Sequence, residues 1–226
     1  MGESFNAMSK IKENLERIKT QVAPYNPKIV AVTKYFDETK LVEYFNLGIR
    51  EFGENRVQDA LSKMEKLSEE ILKHSKFHLI GHLQSNKVKL AVGKFDLIHS
   101  VDSLKLAQRI SEEAQKQGII QKVLIQINNA KEESKFGFDP EEIKNCFSEL
   151  IKLENIKIEG LMNIAPLVDR EDILRELFRK IKHLKDELTS EYKVELSEIS
   201  MGMSNDYMIA LEEGATIIRL GRILFE

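Results

Sequence analysis

Short apolar runs recur along this chain, separated by longer segments whose apolar residues fall three and four positions apart. Eight such runs stand out: Lys28–Lys34, Ile49–Glu54, Phe77–Gly81, Leu97–Asp102, Lys122–Asn128, Ile156–Ile164, Glu195–Gly202 and Ala215–Gly221. Within them, "IVAV", "VLIQI" and "TIIRL" are apolar on both alternating faces, the pattern of parallel strands covered on both sides. Between them, Leu61, Met64, Leu67 and Ile71 keep helical spacing, as do Ile173, Leu174, Leu177, Ile181, Leu184 and Leu188. Gly48, Gly93, Gly118 and Gly214 each stand shortly before a strand, where a helix ends in a left-handed residue. Asp102-Ser103 and Asp139-Pro140 supply helix starts.

Eight strands alternating with helices predict an α/β fold, a single (β/α)8 barrel of the TIM type over residues 1–226. An open doubly wound sheet shares the alternation, and periodicity does not show closure. With no linker, low-complexity tract or composition break, the closed barrel is the simpler arrangement. Ahead of the first strand, Phe5, Met8, Ile11, Leu15, Ile18 and Val22 predict an N-terminal amphipathic helix rather than a leader.

Composition narrows the function classes. The 226 residues carry 34 basic and 37 acidic side chains, dispersed, for a formal net charge of −3, which gives no electrostatic footprint for nucleic acid or an anionic membrane. No segment approaches the roughly 20 apolar residues of a membrane span. Met1-Gly2 resembles a myristoylation start, but Asn6 stands where Ser or Thr is required. The lone cysteine, Cys146, excludes an intramolecular disulfide and reads as a packing residue. A cytoplasmic location is the expectation.

In a barrel the chemistry belongs at the C-terminal strand ends. Those ends hold Lys34, "FGEN" (Phe52–Asn55), "IGHLQSNK" (Ile80–Lys87), "SVDS", "NNAKEESKFGF", "GLMNIAP" (Gly160–Pro166), "SMGMSND" (Ser200–Asp206) and "RLGR" (Arg219–Arg222). Lys34 shares strand parity with Val30 and Val32, which directs its stem to the barrel mouth. An amine there can attack a carbonyl; a lysine snorkelling to solvent is the plain alternative. The last two strand ends offer Ser200, Gly202 and Ser204, then Arg219, Gly221 and Arg222, the residue types of a phosphate site on loops seven and eight. Taken with Lys34, they describe a phosphorylated aldehyde held at both ends. His74, His78 and His82 are spaced by four, but on a strand that step spans ~13 Å, too far to share one metal ion. Lys131–Lys135, "KEESK", reads as a solvated loop with a secondary anion contact as a minor alternative.

In order, "AVTK", "FGENRVQD", "FHLIGHLQSNK", "IHSVDS", "GLMNIAP", "LSEISMGMSND" and "GATIIRLGRILF" resemble the pyridoxal phosphate homeostasis protein family, single-domain relatives of the barrel domain of alanine racemase. The resemblance implies that Lys34 forms the internal aldimine with pyridoxal 5′-phosphate. It further implies that Ser200, Gly221 and the backbone of Arg222 hold the phosphate, with Ser204 contributing at that loop. Asn55 would lie beside the ring and Arg219 near its nitrogen. Arg222 departs from the small hydroxyl residue common after the glycine, and the chain stops at Glu226 without the glycine often found there.

These residues carry functional expectations. A fixed positive charge at Arg219 disfavours a protonated ring nitrogen and so weakens carbanion chemistry. The five residues after Gly221 leave no room for the second domain with which related racemases complete their site. The expected function is therefore intracellular pyridoxal phosphate homeostasis by a monomer that buffers the cofactor or delivers it to recipient enzymes, without efficient turnover. The alternatives are a low-activity pyridoxal phosphate-dependent racemase and a Schiff-base aldolase acting on a sugar phosphate. No metal is expected.

Overall fold

The eight predicted strands close into a parallel barrel in sequence order, with β8 returning to pair with β1. The structure, a computed structural model, describes residues 2–130 and 136–226, with side chains from residue 10 onward. The side chains of Phe5, Asn6 and Met8, the Met1 start and the Lys131–Lys135 loop lie outside the described residues.

Strand β1 is Lys28–Val32, β2 Glu51–Glu54, β3 Lys76–Leu79 and β4 Leu97–Val101. They are followed by β5 Gln121–Ile127, β6 Ile156–Asn163, β7 Glu198–Ser200 and β8 Ile217–Leu220. Helix α1, Gly2–Val22, precedes the barrel. Between strands lie α2 (Glu38–Asn46), α3 (Val57–Met64), α4 (Glu69–His74), α5 (Val88–Ala91) and α6 (Leu104–Gln117). The remaining helices are α7 (Pro140–Leu150), α8 (Glu171–Tyr192), α9 (Tyr207–Glu212) and α10 (Arg222–Phe225). Among the described residues no helix is long and apolar enough to cross a membrane.

Local chemistry explains most boundaries. Asp139 caps α7 in a capping box with Glu142, with Pro140 in the first turn, and Ser103 caps α6 by accepting from the Leu106 N–H at 3.2 Å. Gly118 ends α6 at φ 66°, and the other three glycines expected before strands also have positive φ. One expectation fails: Leu61, Met64, Leu67 and Ile71 do not share a helix. The chain turns after Met64, and Ser68 starts α4 by accepting from the Ile71 N–H at 3.4 Å. Several strands are also shorter than their apolar runs, because the flanking residues enter loops.

Two apolar cores result. The larger lies between barrel and helices and takes in Ile11, Leu15, Ile18 and Val22 of α1, with Cys146 partly buried against it on α7. The smaller fills part of the lumen with Val30, Leu97, Leu124, Met162 and Ile217, which settles that Val30 points inward. Elsewhere the lumen is polar. At Gly160 on β6 a Cβ would stand 1.8 Å from the Glu198 carbonyl oxygen, so strands β6 and β7 approach too closely for any side chain there.

The last loop is pinned from outside. Phe225 stacks on Tyr44 at 4.5 Å and meets Phe36 edge-on at 4.8 Å. Gln21 on α1 accepts from the Tyr207 hydroxyl at 2.9 Å, tying the N-terminal helix to α9.

Candidate functional site

Just beyond β1, Thr33 is fully buried while Lys34 emerges at the rim. What fixes that strand end is a buried ion pair. Lys63 of α3 donates to both carboxylate oxygens of Glu54, at 2.8 and 2.9 Å, and to the Thr33 carbonyl at 2.9 Å. The Thr33 hydroxyl donates to Glu54 at 2.6 Å. Every donor and acceptor of the cluster is engaged, the condition under which a buried pair is tolerated. Lys34 thus leaves a rigid base; its ammonium lies 4.8 Å from the ring centre of Tyr35.

Two cavities meet at Lys34. One, about 420 Å³, is lined by Asn55, Gly81, His82, Gln126, Asn128 and Phe136. The other, about 580 Å³, is lined by Phe36, Pro166, Ser204, Gly221, Arg222 and Phe225. Val32, Lys34, Met203 and Arg219 line both. Asn55 is held from behind: a Cβ on Gly81 would fall 2.2 Å from the Asn55 carbonyl oxygen, so only glycine lets these two strand ends sit side by side.

Arg219, on β8 beside Val30, is 3% exposed. Its Nη1 donates to the Ser200 hydroxyl at 2.6 Å and its Nη2 to the Asn163 carbonyl at 2.8 Å. Burial lowers its pKa to about 10, against a smaller opposing pull from Asp206, and at neutral pH it remains a cation. Asp206 is itself pushed up by burial, and its carboxylate accepts from the Met203 N–H at 2.6 Å, folding the loop after β7 into a turn.

That turn presents Ser204. The N–H groups of Gly221 and Ile223 both donate to its hydroxyl, at 3.3 and 3.4 Å, with the Arg222 N–H between them in the chain. Two backbone donors converging on one oxygen have the geometry an anionic oxygen requires. The Arg222 side chain is exposed and reaches Asn205 at 3.5 Å. Ser200 departs from the sequence expectation: its hydroxyl turns into the lumen, fully buried between Arg219 and Nδ1 of His99, and away from this loop. Strand parity accounts for this, since Ser200 is the last residue of β7 and its side chain follows that of Glu198 inward.

Of the expected residues, Lys34, Asn55, Ser204, Arg219, Gly221 and Arg222 therefore line the joined cavities, and Ser200 reaches them only through Arg219. Glu54, Lys63 and His99 escaped the sequence reading. A carboxylate buried at a strand end must have a partner, and the place of Glu54 directly after Phe52 and Gly53 was the available signal. The spaced histidines separate: His74 ends α4, His78 enters the lumen, and His82 stacks on Phe136 at 3.6 Å while pairing with Asp102 at 2.9 Å. Among the described residues no group of three or more His, Cys, Asp or Glu side chains could hold a metal ion.

The donor set suits pyridoxal 5′-phosphate: a rim amine, a buried guanidinium and a cradle for an anionic oxygen surround one connected space. Comparisons with known proteins point the same way. The family model "Alanine racemase, N-terminal domain" matches residues 7–226. The pyridoxal phosphate homeostasis protein of Aquifex aeolicus is 42% identical over 225 residues, 97% of each chain. That of Synechocystis is 39% identical over 202 residues, covering 89% of this chain and 92% of the relative. The structure of PipY from Synechococcus elongatus, solved with PLP bound, is 38% identical with a TM-score of 0.88, over 96% of this chain and all of that one. An alanine racemase of Clostridium difficile, at 20% identity and TM-score 0.80 over 56% of its length, shares the fold.

Proposed function

Because this chain belongs to the pyridoxal phosphate homeostasis protein family, we propose that it binds pyridoxal 5′-phosphate reversibly and holds it for recipient enzymes rather than turning over amino acids. The observation that carries this reading is the shared wall: Lys34 and Arg219 face the junction of both cavities, with the Ser204–Gly221 loop on one side and Asn55 on the other. When bound, the cofactor supplies an aldehyde carbon that condenses with a primary amine and a ring that draws electron density from it.

The chain's own groups then divide the work. Lys34 offers the amine, on a backbone locked by Thr33, Glu54 and Lys63. Ser204 and the Gly221, Arg222 and Ile223 N–H groups would receive the phosphate, and Asn55 would flank the ring. Arg219, which donates hydrogen bonds and has no acceptor site, would face the ring nitrogen and leave it unprotonated. That arrangement weakens electron withdrawal and favours holding over turnover. A monomer is the working unit in this reading.

Titration of the purified protein with pyridoxal 5′-phosphate tests the reading. One equivalent taken up with a visible absorption band, and released to a competing small amine, is the expected result. Protein that stays colourless in excess cofactor contradicts it.

A further inference from the structure

The lumen holds a polar structure that the site above does not use. His78 on β3 and His99 on β4 are both buried, with Nδ1 of His78 2.9 Å from Nε2 of His99. Nε2 of His78 lies 2.5 Å from a carboxylate oxygen of Glu51, the first residue of β2. At the other end, Nδ1 of His99 lies 2.9 Å from the Ser200 hydroxyl, the same oxygen that accepts from Arg219. These groups run in line from the floor of the barrel to its mouth.

Donor and acceptor chemistry gives the line one direction. A guanidinium only donates, so the Ser200 oxygen accepts from Arg219 and turns its own proton to Nδ1 of His99. His99 then carries its proton on Nε2 and donates to Nδ1 of His78. His78 in turn carries its proton on Nε2 and donates to the Glu51 carboxylate, which only accepts. With neutral rings, reversing the inner bond sets two lone pairs against each other at Glu51. With both rings neutral, as the proposal takes them, both imidazoles are Nε2–H tautomers.

We propose that Glu51, His78 and His99 are positioning residues for Arg219. Anchored on the Glu51 carboxylate, the one-way chain aims the Ser200 oxygen at the guanidinium and so fixes the orientation and charge that Arg219 presents to the cofactor. The role at the cofactor rests on the function proposed above; the chain itself does not. Arg219 has reason to need it, since it makes no direct ion pair among the described residues and its charge is stabilised through hydrogen bonds to Ser200 and Asn163. In the buried lumen each bond polarises the next. Burial above all, with the cations of Arg219 and Lys28 nearby, holds the His99 imidazole well below its ordinary pKa, which keeps it neutral. The other charged groups facing the pair are Lys28 on β1 and Glu198 on β7, paired with each other, and Glu51 on β2.

Nitrogen-15 NMR of the histidines in the unsubstituted protein, without cofactor, tests the chain directly. Expected are Nε2–H tautomers for both His78 and His99, with no titration of His99 from pH 8 to 6; an Nδ1–H tautomer or an imidazolium on either ring overturns the proposal. Its effect at the cofactor is read in loaded protein by Glu51→Ala, His99→Leu and His99→Gln. The first two are expected to shift the visible band and weaken cofactor binding by about three- to tenfold, on the scale of one hydrogen bond. His99→Gln, whose amide can accept from Ser200 and donate to His78, is expected to restore both. Band and affinity unchanged in Glu51→Ala and His99→Leu overturn the positioning role. Should the unsubstituted protein take up no cofactor, the functional reading fails, and the tautomers alone decide whether the chain exists. If His99→Leu does not fold, Glu51→Ala, at the outer end of the chain, carries the loaded measurement.

Discussion

Nη1 of Arg219 and the hydroxyl of Ser200 meet at 2.6 Å inside the barrel, where both residues are buried. Ser200→Ala removes the acceptor and strands both this N–H and the ring nitrogen of His99. A buried polar group left unsatisfied costs about 1–3 kcal/mol, so denaturant unfolding should show a loss of that size. Lys34 should still be modified by cofactor in this variant, because Ser200 does not touch the amine.

Ser204 gives the opposite pattern. Its hydroxyl sits in the half-exposed loop with the Gly221 and Ile223 N–H groups, and Ser204→Ala should change stability little. Binding of pyridoxal phosphate should weaken about tenfold, the value of one hydrogen bond to a charged group. Binding of pyridoxal, which lacks the phosphate, should be unchanged; equal losses for both ligands would remove Ser204 from the phosphate site.

The ion pair beneath Lys34 is nearly closed to solvent, with side-chain exposures of 10% for Lys63 and 1% for Glu54. Glu54→Ala leaves a buried ammonium unpaired, at a cost of about 3–5 kcal/mol. In a chain of this length that lowers Tm by roughly 10 °C. The double variant Glu54→Met/Lys63→Met should recover most of the loss, since no charge is then left without its partner.

His99 makes stability depend on pH in a defined direction. Its folded pKa is lowered, by burial above all, so below the ordinary value of about 6.5 the unfolded chain binds a proton that the folded chain does not. Stability therefore falls as pH drops through about 6.5, with a slope of up to about 1.4 kcal/mol per unit until the folded pKa is reached. His99→Gln should flatten that slope in urea unfolding measured from pH 7.5 to 5.5.

Much of this architecture is legible in the sequence because a parallel strand buried on both faces leaves a run such as "VLIQI", and a helix between such strands leaves a three-and-four spacing. The mouth residues followed from parity: with Val30 inward, Lys34 had to rise toward the opening. What stayed hidden were side chains whose roles depend on other strands. Leu97–Val101 is buried throughout, so its alternation gives no sign that His99 faces the lumen. Nor does spacing reveal that Ser200 turns to Arg219 while Ser204, four residues on, turns to Gly221. The break between α3 and α4 was equally hidden, because the apolar spacing continues unbroken across Ser68.

The central claim is that the Lys34 amine is the group that takes the cofactor. It is tested by loading the protein with pyridoxal phosphate, reducing with borohydride, and mapping the modified peptide by mass spectrometry. The account predicts a single label on Lys34 and none in Lys34→Ala. Label on another lysine, or undiminished label in Lys34→Ala, would contradict it.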